Sequence, residues 1–587
     1  MRRLPRRYAD ALARGTIVLS RPILWLCERL STRAFAVFTL MLFLALFFTN
    51  GVMGLDFGSH WDEWYHTQVV SASVQHMWLL PEAFAYGGPY FTLGYPVVLA
   101  HQWRNVLGIL RDLRYQPPGM DPSAFPSVQQ FKAGAAALFA SPIYLLQVRG
   151  VFLAVTTLSI IWAFCGALRV WPRRYGVALA AAAFMAFSWE LGYHARWVAI
   201  DAPLAQFCAL ELFLYCGAWR APSEGPAVRW YCGAAAAAGT VYACKMTGGF
   251  AFLPILLTPL VRPSRLPLFR RVSLMVLGSA IFVLVSFALS PDFYLDPLRF
   301  LHVVRGGSAD YNSTGPTYPH YVTFGEHALR MLVWLIGAVP SPFRPVAFGF
   351  SAVALIGFIR LLLRETRMTL CWLVFMLTFA AIFTHNHLLI VRQFLMFVPF
   401  MALCFASGTA VLWDFLRQRD HRLAAGFAAL VAMGMIANGV FESAQGWHVT
   451  HDTPASVADA AARDLLSDRE PIRMSHPVQD LLQSRLGKAY VCHPADVKDR
   501  RVKNFLAYHI EHEWMANRLG SFRRVYGASE LDLDYYSTWF GRSRPFRLVE
   551  VSIDVMKGLG RKMEGDLDCF PTGKPAARPT AATGSGG

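Results

Sequence analysis

Residues 34–50, AFAVFTLMLFLALFFTN, carry no charge and are followed, seven residues on, by Gly58-Ser-His-Trp-Asp62-Glu63-Trp-Tyr65-His66. A membrane helix needs ~20 predominantly apolar residues, fewer where aromatics and arginines cushion its ends, so the first stretch reads as a span. It is no cleavable signal, because 33 residues rich in arginine precede it and no small-residue cleavage site follows. The second stretch then sets two adjacent carboxylates among aromatics directly outside a bilayer surface. A helical membrane protein with chemistry beside its first span is the reading that the rest of the chain has to support.

The composition supports it. Of 587 residues 55% are apolar and only 16% charged, with a mean hydropathy of +0.36, far from the roughly quarter-charged norm of soluble domains. Disordered, coiled-coil and small disulfide-framework classes are excluded. The net charge of +17 would suit a nucleic-acid binder if it formed a surface patch, but residues 442–587 hold 20 Lys/Arg against 19 Asp/Glu, so the excess belongs to the hydrophobic part. No nucleic-acid partner is expected; the partner implied is the bilayer. Spans are expected near 34–50, 143–168, 175–189, 202–218, 230–244, 248–262, 272–290, 345–363, 369–384, 393–413 and 422–441, eleven in all.

Arginines precede the first span and then collect at every second connection: Arg169/Arg173/Arg174, Arg220/Arg229, Arg262/Arg265/Arg270/Arg271, Arg360/Arg364/Arg367 and Arg417/Arg419/Arg422. The positive-inside rule makes that side the cytoplasm, with the N-terminus there. The apolar stretch 328–339 would break the alternation by crossing, so it is expected to lie in the outer interface. The opposite face then carries the outer loops 51–142 and 291–344 and everything after Phe441. The organisation expected is a basic cytoplasmic segment 1–33, a transmembrane domain 34–441, a small extracytoplasmic α/β domain 442–570 and a disordered tail 571–587. Helices are expected at Val457–Leu466 and Val478–Leu486, and a strand at Arg547–Ile553. Eight of the ten cysteines lie in or beside spans, where a thiol serves as a small apolar side chain. Cys492 and Cys569 share the outer domain in an oxidising compartment and are expected to form a disulfide. The sequence shows no Gly-rich phosphate loop and no Cys/His spacing of a zinc site.

Six charged residues stand where charge is expensive. Asp62 and Glu63 follow the first span, and their coupling and partial desolvation suit one of them to general-base work. Equally, two acids in a first turn cap a helix running 63–80. Asp201 closes His194-Ala-Arg196-Trp-Val-Ala-Ile-Asp201-Ala-Pro203 at the mouth of the fourth span, where an N-cap is the alternative. Arg149 lies in the second span, Lys245 at the outer end of the fifth and Arg392 at the outer start of the tenth. Snorkelling explains any one of them. Three cations and two sets of carboxylates on one face instead mark a polar cavity opening to one side.

The pattern resembles the GT-C membrane glycosyltransferases, specifically bacterial relatives of protein O-mannosyltransferases and lipid A aminoarabinose transferases. The resemblance covers residues 34–441. It rests on Asp62-Glu63-x-Tyr65, Arg149, Arg196-x4-Asp201-x-Pro203, Lys245-x-Thr-Gly248 and Arg392-Gln-Phe-Leu-x-Phe-Val-Pro399. In the first outer loop the family's Lys-Pro or Pro-Pro pair gives way to Tyr90-Phe-Thr-Leu-Gly94-Tyr95-Pro96. The family implies transfer of a sugar, with inversion, from a polyprenyl-phosphate donor to an acceptor lipid, glycan or protein at the outer face. By that resemblance Asp62 is the base. Glu63 and Asp201 orient the acceptor or bind a cation, and Arg392, Lys245 and Arg149 meet the donor phosphate. Tyr65, His66, Tyr95 and Arg196 are acceptor or loop candidates. A divalent cation is a possible cofactor, with Asp62 and Asp201 as its candidate ligands. The competing class is a lipid-linked-sugar flippase or other transporter. Transporters generally show repeated halves, whereas this chain concentrates its loops and extra domain on one side.

Overall fold

The structure is a computed structural model that describes Arg29, residues 32–53, Leu55, 61–77, 86–115, 121–312, 323–385 and 391–451, and five strand segments beyond. The chain forms two units.

The first unit is helical. Eight of its helices are long and apolar enough to cross a membrane: Arg33–Val52, Ile143–Val170, Asp201–Arg220, Leu268–Leu289, Arg344–Arg364, Thr366–Thr384, Arg392–Arg419 and His421–Ser443. With that many apolar helices the chain is an integral membrane protein. Three of the eleven expected spans take other forms. Tyr175–Ala186 has 12 residues, a rise of ~18 Å, and is buried along most of its length, so it meets protein rather than lipid. Residues 248–262 are divided between a 3₁₀ turn, Met246–Ala251, and a ten-residue helix, Phe252–Val261. The third, Glu224–Cys244, has 21 residues but is rich in alanine and glycine and falls outside the eight. The expected interfacial stretch 328–339 is a helix, Phe324–Gly337.

Small residues set one close helix crossing. A Cβ at Gly357 would lie 1.8 Å from the Cys404 carbonyl oxygen and one at Gly408 1.8 Å from that of Val353, so helices Arg344–Arg364 and Val398–Arg419 touch backbone to backbone, as small residues allow in membranes. Most exposed along its length is Leu268–Leu289, whereas Asp201–Arg220 is largely enclosed.

The arginine-rich connections meet at one end of this unit. Arg174 pairs with Asp414, Arg220 with Glu365 and Arg262 with Glu224, while Arg367 donates to the Val261 carbonyl. Helix Asp201–Arg220 runs from that end, at Arg220, to Asp201 ~30 Å away.

The second unit contains a five-stranded mixed sheet in the order β4-β3-β2-β1-β5, with β1 Ile472–Met474, β2 Asn504–Tyr508, β3 Arg524–Ser529, β4 Arg547–Val551 and β5 Asp568–Phe570. Strands β1, β2 and β3 are parallel, and both edges are antiparallel. The stretch expected as a strand at 547–553 is β4. The helices expected at Val457–Leu466 and Val478–Leu486 lie outside the described residues, as do segments 1–28 and 571–587. Cys492 lies outside them too, while Cys569 is in β5 opposite Arg473.

Candidate active site

Of the six charged residues singled out in the sequence, Arg149 lies within the helix Pro142–Val170 and the other five sit at element boundaries. Asp62 and Glu63 occupy the first turn of the helix Trp61–His76. Asp201 is in the first turn of its helix and makes no cap to it; its carboxylate is turned to cations instead. Lys245 ends Glu224–Cys244, where the α-helix gives way to the 3₁₀ turn Met246–Ala251, and Arg392 lies in a second such turn, Val391–Phe397. Tighter turns at these two points interrupt the apolar run and bring the long cationic side chains sideways into the unit.

Four of these residues form one network. Lys245 Nζ donates to Asp201 Oδ1 at 2.8 Å. Arg392 bridges the two aspartates, with Nε 3.3 Å from Asp201 Oδ2 and Nη2 3.3 Å from Asp62 Oδ2. The Tyr86 hydroxyl donates to Asp62 Oδ1 at 2.9 Å, and the Lys245 ammonium lies 5.8 Å from the Tyr86 ring centroid. The Tyr90 hydroxyl lies 2.8 Å from the Asp62 main-chain oxygen and 3.0 Å from that of Val198. Burial, reinforced by the charges of Asp62 and Glu63, holds the Tyr90 phenol well above its ordinary range, so it stays a donor.

Glu63 and Arg149 form a separate pair. Arg149 Nε and Nη2 donate to the two carboxylate oxygens of Glu63 at 2.7 and 2.6 Å, and Nη1 donates to the Leu55 carbonyl at 2.7 Å. Its guanidinium also faces Trp197, 4.9 Å from the ring centroid. Glu63 Oε1 accepts from the Val198 amide at 3.2 Å as well. All three guanidinium nitrogens are thus engaged by protein, so Arg149, expected at the donor phosphate, joins the end of the first span to helix Trp61–His76 and to the segment before Asp201.

The loop candidates divide. Tyr65 lies beside Tyr86 and Phe91, at centroid separations of 6.2 and 5.9 Å, and burial raises its phenol. His66 is packed among Tyr90, Phe91, Tyr144 and Phe152, and burial drives its imidazole down to about 3. The ring is fully buried among these aromatics. Tyr95 begins the next helix, Tyr95–Arg114, with its phenol raised by burial. Arg196 is buried, which lowers its guanidinium, and the charge that chiefly opposes this is that of Glu442.

Sequence reasoning missed Tyr86 and the backbone that holds it. The Gly87 amide donates to the Cys244 carbonyl at 3.2 Å, and the Gly88 amide to Ser290 Oγ at 2.6 Å, which itself donates to the Ala243 carbonyl at 2.9 Å. A Cβ at Gly87 would stand 1.5 Å from the Ala243 oxygen, and one at Gly88 1.9 Å from the Leu289 oxygen. The glycine pair therefore seats Tyr86 and Tyr90 against the helix that ends at Lys245. The signal available was Tyr86-Gly-Gly-Pro89, a close-approach motif beside an aromatic.

The candidate cation ligands Asp62 and Asp201 do not fit a divalent ion as they stand, because Arg392 bridges them and Lys245 takes another oxygen. Among the described residues no group of three or more His, Cys, Asp and Glu comes together that could hold a metal.

No protein-family model and no curated protein matches the sequence. Among solved structures the chain is similar to the crystal structure of ArnT from Cupriavidus metallidurans in the apo state, with a TM-score of 0.46 at 15% identity over 85% of this chain and 94% of that one. The same protein bound to undecaprenyl phosphate gives a TM-score of 0.44 at 15% identity over 83% and 92%. The oligosaccharyltransferase of Archaeoglobus fulgidus in complex with Zn and sulfate gives 0.40 at 16% identity over 69% of this chain and 53% of that one.

Proposed function

We propose that the protein is a membrane glycosyltransferase that moves a sugar from a polyprenyl-phosphate donor to an acceptor hydroxyl at the extracytoplasmic face. The observation that carries this reading is the Arg392 bridge between Asp62 and Asp201, with Lys245 on Asp201, at the end of the helical unit away from the arginine-rich connections. By the positive-inside rule the arginine-rich end is cytoplasmic, which puts the network outside.

A transfer of this kind needs a base for the acceptor and positive charge for the leaving phosphate. The Asp62 carboxylate takes the acceptor proton as the acceptor oxygen bonds to the anomeric carbon. The bond from that carbon to the phosphate oxygen breaks, its electron pair stays on the lipid phosphate, and attack opposite the leaving group inverts the centre. Arg392 and Lys245 meet the charge that develops on the phosphate. Donor phosphate and Asp62 compete for Arg392, so donor arrival frees the base. Asp201 holds both cations in place before the donor enters. Glu63 and Arg149 are positioning residues.

Purified protein incubated with lipid-linked sugars extracted from its own cells should release free polyprenyl phosphate, and Asp62→Asn protein should not. Absence of release by the wild-type protein across the whole extracted pool, with acceptor fractions added, would overturn the reading.

A further inference from the structure

The first outer connection carries a surface that the transfer site does not use. Helix Tyr95–Arg114 presents Leu99, Trp103, Leu107 and Leu110 at 49, 54, 54 and 58% exposure. Their spacing of four, four and three residues puts them on one face. Near the start of that helix His101 Nε2 lies 2.7 Å from Gln147 Oε1, in the second turn of the span Ile143–Val170, whose Ile143 and Leu146 are also exposed. The stripe therefore continues the lipid-facing surface of a membrane span at its boundary. Tryptophan and leucine on one face, with arginines beside them, are the composition of a helix lying in the membrane interface.

Beside the stripe, this helix and Pro126–Phe139 frame a cleft of about 710 Å³ lined by Arg104, Asn105, Arg111, Asp112, Tyr115 and Gln130. Its single carboxylate is already committed. Asp112 Oδ2 accepts from Ser127 Oγ at 2.6 Å, and Oδ1 lies 3.6 Å from Arg111 Nε. Two guanidiniums against one engaged carboxylate leave the cleft cationic, and its volume suits a small polar ligand.

We propose that the cleft binds the headgroup of an anionic phospholipid, the phosphate between Arg104 and Arg111 and the acyl chains along the Leu99–Leu110 stripe. Guanidinium pairs with phosphate through parallel N–H donors. A zwitterionic headgroup would bring an ammonium against the same two cations and is discriminated against.

Native mass spectrometry of the full-length protein with added phosphatidylglycerol or phosphatidylcholine tests this. The wild-type protein should retain phosphatidylglycerol several-fold more than phosphatidylcholine, with at least one adduct lost in the double variant Arg104→Gln/Arg111→Gln. Both side chains are exposed, so the thermal midpoint without added lipid should not move. Arg173→Gln, at the arginine-rich end, should leave the adduct in place. Equal retention of the two lipids by the wild type overturns the proposal, as does an undiminished preference in the double variant.

Discussion

The two ends of the helical unit use the same residue types under opposite conditions. At the arginine-rich end Arg174 reaches Asp414 at 2.7 Å with side chains 36 and 42% exposed. At the other, Arg149 reaches Glu63 at 2.6 Å with both side chains 3% exposed. Exposed pairs are typically worth ~0–1 kcal/mol because water already solvates both partners, so these arginines do little to hold the fold together. Buried ions cost several kcal/mol each in lost hydration, recovered only by very good geometry. Arg149 and Glu63 have that geometry. Arg392 does not: it is shared between two aspartates at 3.3 Å each. Adjacent carboxylates, Asp62 and Glu63, therefore teach different things. Glu63 has its charge matched at 2.6 Å by a single buried guanidinium, whereas Asp62 shares its cation with a second carboxylate at 3.3 Å.

The comparison breaks first, and by the largest margin, at Asp62. Asp62→Asn should lower transfer by ~10²–10⁴-fold, the usual contribution of a positioned base, with the thermal midpoint in detergent unmoved; activity equal to wild type would return Asp62 to helix capping. Next comes Arg149→Met, which strands Glu63 and should cost ~3–5 kcal/mol of stability, while adding Glu63→Leu should recover most of it. Chemical denaturation of the single and double variants measures the difference, and equal loss in both would deny the pairing. Arg392→Ala should weaken donor use by ~1.5–3 kcal/mol, a charge-assisted hydrogen bond, read as the donor concentration at half-maximal rate. Arg392→Lys recovers part, lacking the planar fork.

His66 sharpens the contrast through pH. Its folded imidazole titrates at about 3 against an ordinary 6.5, so the unfolded chain binds the proton first. Stability is complete above 6.5 and falls with pH until about 3, by roughly 2 kcal/mol at pH 5. The fall in thermal midpoint between pH 7 and pH 5 should be smaller in His66→Phe. The smallest effect belongs to the exposed end, where Arg174→Gln should change stability by under ~1 kcal/mol and leave transfer intact.

Much of the site was legible because charge inside a membrane is costly enough to be conspicuous. Asp62, Asp201, Lys245 and Arg392 stood out on that ground and do come together. What was illegible depends on tertiary contact. Nothing in Asp62-Glu63 says which carboxylate Arg149 takes, since both are in one helical turn. Tyr86 is an ordinary residue until a glycine pair presses it toward Lys245. Apolar composition alone also does not tell a helix buried in protein, such as Tyr175–Ala186, from one whose side chains stay exposed, such as Leu268–Leu289.

The glycine pair also bears on how a mutational scan of this chain would read. At Gly87 and Gly88 even a methyl group would overlap a carbonyl oxygen of another helix, so all nineteen replacements are backbone lesions. Such positions score in an activity screen like residues that touch substrate, although they offer a ligand nothing but main chain. Abundance measured beside activity separates them: Gly87 and Gly88 variants should vanish from the membrane fraction, while Asp62 variants remain there, full-length and silent.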